Sequence, residues 1–161
     1  MTISEYNRCV DQYADGIFRF ILKNFRDEDA SKDIVQDSFM KLWEKVSEVS
    51  FEKAKSYLFT SAYHSLIDWI RKEKYREEFR PSFHPGQIVE TGFSDLKEVL
   101  DQAIRLLPEI QRTVILLRDY EGYSYQEIGD ITQLNESQVK VYIYRARVFL
   151  KNYIGKPENV I

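Results

Sequence analysis

Residues 124–151 read SYQEIGDITQLNESQVKVYIYRARVFLK, and their pattern predicts two helices joined by a tight turn. Ser124 followed by Glu127 makes a capping box, the reciprocal side-chain and backbone pairing that starts a helix. Ile128 and Ile131 then fall at the spacing of one buried face. Thr132, Gln133 and Leu134 interrupt the pattern, and Asn135 with Gln138 three positions later can cap a second helix. That helix is predicted to bury Val139, Ile143, Ala146 and Leu150. Ser137, Gln138, Lys140, Tyr142, Tyr144, Arg145 and Arg147 are left to point elsewhere. From Lys140 to Lys151 the segment carries four cations and no acid. A solvated basic face on an ordinary helical hairpin would have this pattern. So would a helix-turn-helix whose second helix enters the major groove, polar side chains at its N-terminus on base edges and arginines on phosphates. The second reading is adopted.

The chain has 161 residues, 43% hydrophobic and 30% charged, with only 6 Gly and 4 Pro. So few helix breakers point to an all-α protein. No apolar run approaches bilayer length, and MTISEYNRCV lacks a signal-peptide layout, so a cytoplasmic location is expected. Cys9 is the single cysteine, and with His64 and His84 the only histidines, no metal site and no cofactor are expected. No paired histidine and acid, nucleophile elbow or phosphate loop is present, which argues against an enzyme and against a small-molecule substrate. A net charge of −3 sits oddly with DNA binding, yet affinity follows local clusters of Lys and Arg. The acids gather elsewhere, at Asp27, Glu28, Asp29, Asp33 and Asp37 and again at Asp95, Glu98 and Asp101.

Outward from the opening segment, the rest of the chain also reads as helix. Residues 6–24 carry an amphipathic stripe of Val10, Ala14, Ile17, Phe18 and Ile21. In residues 29–47, Val35, Phe39, Leu42 and Val46 are predicted to face a core. Asp33, Gln36, Asp37, Met40 and Glu44 share the opposite side, with Trp43 at its edge. That surface suits plain solvation and protein docking equally, although a tryptophan often anchors interfaces. A long helix from Phe51 to about Glu78 buries Leu58, Ala62, Leu66 and Trp69 or Ile70. On its remaining surface Tyr57, Phe59, Tyr63, His64 and Trp69 mix with Lys53, Lys55, Ser61, Arg71, Lys72, Lys74 and Arg76. Rings interleaved with cations suit unstacked bases, although some of these rings must be core.

Residues 79–94 hold two of the four prolines and two of the six glycines, and read as a flexible linker. Such a tether permits the two units to stand apart, or to collapse onto each other. Residues 95–107 form another helix with Leu96, Val99, Leu100, Ile104 and Leu107 inward, and Pro108 opens the next, which stops near Gly122. The organisation is two small helical domains, 1–78 and 95–161, the second containing the helix-turn-helix.

This order of features resembles a group IV, extracytoplasmic-function sigma factor of the sigma-70 family, over most of the chain. DASKDIVQDSFMKLW is similar to the family's core-polymerase-binding helix and SYLFTSAYHSLIDWIRK to its promoter-melting helix. LPEIQRTVILLRDYEGYSYQEIGDITQLNESQVKVYIYRARVFLK is similar to its upstream-element reader. The resemblance implies that 1–78 is sigma domain two and 95–161 sigma domain four. It implies docking on core RNA polymerase through Asp33, Gln36, Asp37 and Trp43. It also implies minus-10 contacts from Ser61, Tyr63, His64, Asp68, Arg71 and Lys72, with the loop Val46 to Ser50 cradling a flipped base. Minus-35 contacts would come from Ser137, Gln138, Lys140, Tyr142, Tyr144, Arg145 and Arg147. The implied partners are core RNA polymerase, promoter DNA and an anti-sigma factor, which can be membrane-anchored. Many members have Arg-Asn in place of Tyr63-His64, and a smaller residue and Arg in place of Val141-Tyr142, so promoter preference is this chain's own. A dimeric helix-turn-helix regulator and a sigma-like decoy for an anti-sigma factor are the rival readings. The retained Lys140, Arg145 and Arg147 argue against the decoy.

Overall fold

The computed structural model describes residues 1–79 and 96–155, which form seven α-helices, one π-helical turn and no strand. Of the expected linker 79–94, Phe79 ends the third helix; the rest of it and the last residues of the tail lie outside the described residues. The first unit is α1 (Ile3–Phe25), α2 (Glu28–Glu44) and α3 (Phe51–Phe79), each packed on the other two. The second is α4 (Leu96–Leu106), α5 (Glu109–Ile115), the π turn (Leu116–Tyr120), α6 (Tyr125–Thr132) and α7 (Glu136–Ile154).

Local chemistry explains where the helices start and stop. The Thr2 hydroxyl accepts the Glu5 N–H, and the Glu5 carboxylate accepts the Thr2 N–H at 2.8 Å, so α1 begins with a capping box. It ends at Arg26, whose left-handed backbone (φ 56°) turns its N–H onto the Leu22 carbonyl. The Asp27 carboxylate then accepts the Ala30 N–H and starts α2. Pro108 stands immediately before α5, where a missing N–H costs nothing.

The core of α2 differs from the predicted stripe. Ile34, Phe39 and Leu42 are buried together with Ser31 and Ser38, whereas Val35 and Val46 are only partly covered. Both serine hydroxyls donate to the carbonyl four residues back, Asp27 and Ile34, so they enter the core already satisfied. In α4, Val99, Ala103 and Ile104 face inward, while Leu96 is 58% exposed and leaves the predicted stripe.

The two units pack against each other. Phe59 of α3, predicted as part of a surface cluster, is buried between Phe20 (5.8 Å between ring centroids) and Tyr123 (5.2 Å). Lys55 places its ammonium 4.5 Å from the centre of the Tyr123 ring. Around this apolar centre run polar contacts: Arg19 to Glu121 at 3.0 Å, Lys23 to Asp101 at 3.1 Å, and the Arg112 guanidinium donating to the Asn24 side-chain carbonyl at 3.1 Å. Burial holds the Arg112 guanidinium below its ordinary pKa and pushes the Tyr123 phenol well above its own.

Tyr123 is 1% exposed, and its hydroxyl has no hydrogen-bond partner among the described residues. A buried, unpaired hydroxyl costs about 1–3 kcal/mol. Tyr123→Phe keeps the ring contacts and removes that cost, so it is expected to raise the melting temperature, corresponding to about 1 kcal/mol. A lower melting temperature would show that the phenol has a partner.

Candidate functional site

The helix-turn-helix forms as the capping signals predict. Ser124 and Glu127 exchange backbone and side-chain bonds at 3.1 Å, and Asn135 and Gln138 do so at 2.8 and 3.0 Å. Between them Gln133 adopts a left-handed backbone (φ 64°), and its side-chain amide donates to the Asp130 carbonyl. The turn is drawn tight over Gly129. The Leu134 N–H reaches the Gly129 carbonyl, and the Leu134 carbonyl oxygen lies 2.6 Å from where a β-carbon on Gly129 would stand.

On α7, Val139, Ile143 and Ala146 are buried as expected, and Leu150 is partly buried. The opposite face carries Ser137, Val141, Tyr144 and Val148 in line, all exposed. Lys140 lies on one flank, paired with Glu136 at 3.4 Å and 5.5 Å from the Tyr125 ring centroid, with Arg118 4.5 Å from the same ring. Arg145 lies on the other flank, 6.0 Å from the centre of the Tyr142 ring. Two further candidates are already engaged. The Gln138 side-chain oxygen accepts the Asn135 N–H in the cap. Arg147 donates to both carboxylate oxygens of Asp119, at 2.6 and 3.3 Å, which raises its pKa further.

On α3, Ser61, His64, Asp68, Arg71 and Lys72 recur at steps of three and four and share one stripe. His64, Asp68, Arg71 and Lys72 are exposed and Ser61 partly so. Tyr63 is on the other side of the helix, half-buried, and burial raises its phenol pKa. Trp69 packs edge-on against Phe25, centroids 3.7 Å apart. Neither ring is an open stacking platform in this arrangement.

On α2, Asp33, Gln36, Asp37 and Trp43 are all exposed on one face with Met40. Trp43 is 48% exposed and stands edge-on to Tyr6 at 5.0 Å, and the Tyr6 hydroxyl donates to the Phe39 carbonyl at 3.0 Å. Asp37 pairs with Lys41 at 3.0 Å. A groove between α2 and α3 is lined by Asp27, Asp29, Asp33, Asp37 and Asp68, with Lys41 and Lys72 as its cations. The acidic face of α2 and the polar stripe of α3 therefore meet along one groove. Sequence reasoning named Val141 only as a departure from the family and left Val148 and Tyr6 out of the candidate sites. A helical projection of α7 centred on Val139, Ile143 and Ala146 would have placed Val141 and Val148 on the outward face. Among the described residues no group of three or more His, Cys, Asp or Glu could hold a metal ion, and no helix is long and apolar enough to cross a membrane.

Comparison with known proteins bears on these faces. The Sigma-70 region 2 family matches residues 9–76, and the Sigma-70, region 4 family matches residues 97–150. The ECF RNA polymerase sigma factor SigM of Bacillus subtilis is 27% identical over 99% of either chain. The RNA polymerase sigma factor SigV of the same organism is 28% identical, over 93% of this chain and 91% of its own. Among solved structures, the sigma factor RpoE from Bartonella quintana, crystallised with the anti-sigma factor NepR, shares the fold with a TM-score of 0.78 and 23% identity, covering 96% of this chain and 99% of that one. CnrH, in complex with the cytosolic domain of CnrY, shares it with a TM-score of 0.66 and 19% identity, covering 91% and 85%.

Proposed function

The chain belongs to the sigma-70 family as an extracytoplasmic-function sigma factor, and from that premise we propose how its faces divide the work of transcription initiation. As a sigma factor it binds core RNA polymerase and directs initiation at promoters. Residues 1–78 act as sigma domain two, residues 95–161 as sigma domain four, and 79–94 connect them. Core polymerase docks on α2 through Asp33, Gln36, Asp37 and Trp43. The minus-10 element is met by the stripe Ser61, His64, Asp68, Arg71 and Lys72, and by Tyr63 once its side of α3 is uncovered. Opening the strands costs a few kcal/mol for each flipped base, and stacking a base on a ring returns about 1–3 kcal/mol.

The minus-35 element takes α7 in its major groove. Lys140 and Arg145 lie on the flanks toward the bordering phosphates, and Ser137 and Tyr144 point inward. Gln138, Tyr142 and Arg147 complete the set, the last after exchanging Asp119 for a phosphate. The family is a non-enzymatic initiation factor, and this chain, too, acts without catalysis, in the cytoplasm alongside the polymerase. RpoE and CnrH were both solved as complexes, RpoE with an anti-sigma factor, which supports control of this chain by an anti-sigma factor.

The observation that carries the reading is the split of surfaces between units. An acidic face with a half-exposed tryptophan stands on one unit, and a helix flanked by cations on the other. Run-off transcription with core polymerase, on promoters selected from random DNA, tests it. The chain is expected to confer a defined start site while binding the same DNA weakly alone. A tight, two-fold symmetric footprint without polymerase, and no start-site selection with it, would instead identify a dimeric operator-binding regulator.

A further inference from the structure

The outward centre of α7 is apolar where a reader of base edges is expected to be polar. Ser137, Val141, Tyr144 and Val148 succeed one another at steps of four, three and four residues, facing away from the buried Val139, Ile143 and Ala146. Val141 is 45% exposed, although no packing demand keeps a branched apolar side chain there. It lines a shallow depression at the N-terminal end of the helix together with Asn135, Ser137, Gln138, Tyr142 and Arg145. Lys140 and Arg145 stand on opposite flanks of this line. When those cations reach the phosphates of the two strands bounding a major groove, Val141 between them faces the groove floor. The neighbouring polar reader is partly occupied, because the Gln138 carbonyl oxygen is held by the Asn135 N–H at 3.0 Å.

We propose that Val141 is a specificity-determining residue that recognises the C5-methyl group of a thymine in the upstream promoter element. This rests on the assignment of α7 to duplex reading made above. An isopropyl group has no donor or acceptor, so it cannot pair with the edges of guanine, adenine or cytosine. The thymine methyl is the one apolar group that the four bases present in the major groove. Against the amino group of a cytosine, the same side chain would strip water from a donor and offer nothing in return. Val141 therefore favours thymine by contact and disfavours cytosine by desolvation.

The test uses the full-length chain assembled with core polymerase and a promoter obtained by selection. Each thymine of the upstream element is replaced in turn by deoxyuridine, which lacks only the C5-methyl. At one or two neighbouring positions the replacement is expected to lower transcription roughly three- to fivefold, the effect of one buried methyl-sized group. With Val141→Ala, transcription from the thymine promoter falls by a similar factor and becomes indifferent to the replacement. Binding of core polymerase by this variant, measured in parallel, stays at the unsubstituted level if it is folded. Sensitivity that is absent at every thymine, or that persists unchanged in Val141→Ala, overturns the assignment while dependence on the upstream element remains. Transcription that ignores the upstream element altogether overturns the duplex-reading role of α7, and the assignment of Val141 with it.

Discussion

Gly129→Ala is expected to lower the melting temperature by about 4–8 °C and to abolish dependence on the upstream promoter element. The added β-carbon would stand 2.6 Å from the Leu134 carbonyl oxygen and 3.7 Å from its carbon. A flexible side chain could move aside from so close an approach, but here the obstacle is backbone. Shifting it opens the turn that sets the Asn135 cap and the start of α7. Two effects oppose. Alanine favours a helix over glycine by about 1 kcal/mol, whereas overpacking of a rigid site costs about 3 kcal/mol. The clash wins by about 2 kcal/mol. Thermal unfolding followed by circular dichroism measures the shift, and binding of core polymerase, which we assign to the other unit, is expected to survive. A variant that melts within about two degrees of the parent would show that the turn yields more easily than its geometry implies.

Trp43→Ala is expected to weaken the complex with core polymerase about thirtyfold, the loss of an aromatic anchor contributing about 2 kcal/mol. The ring is pre-positioned, edge-on to Tyr6, and the Tyr6 hydroxyl is fixed on the Phe39 carbonyl. Little side-chain freedom remains to be lost on docking. Asp37→Ala should cost less, because Asp37 already has Lys41 as an exposed partner and such pairs contribute little. Competition for core polymerase against a labelled sigma factor separates the two variants. Unchanged affinity for the tryptophan variant, with normal unfolding, would move the docking surface away from this face of α2.

Much of the fold was legible because its signals are local. The boxes at Ser124–Glu127 and Asn135–Gln138 announce two helix starts and form as read. The prolines and glycines of 79–94 divide a chain whose described helices fall on either side of it. What escaped depends on groups distant in sequence. Phe59 stands three residues before Ala62 and seven before Leu66, within the buried line of α3, yet nothing near it shows that Tyr123, sixty-four positions on, will cover it. Ser31 and Ser38 count as polar in any hydrophobic pattern, yet a bond to the preceding turn lets them replace valine in the core. The candidate residues on α2 and α7 were legible as outward faces, apart from Tyr142, which is partly buried against the core. Which side chains on them are committed, such as Gln138 to its cap and Arg147 to Asp119, required coordinates.

The packing of one unit on the other has a consequence for timing. Sites named for positions minus 10 and minus 35 lie on the order of 85 Å apart along a duplex that rises about 3.4 Å per base pair. A compact body of 161 residues has a radius of gyration of about 15 Å, so with Arg112 on Asn24 and Phe59 beneath Tyr123 the molecule is too short to reach both. Resting and working shapes are therefore in competition, and the apparent affinity for a promoter is scaled by the fraction already unclasped. Evolution can set the threshold for gene activation at this contact without touching a single residue that meets DNA.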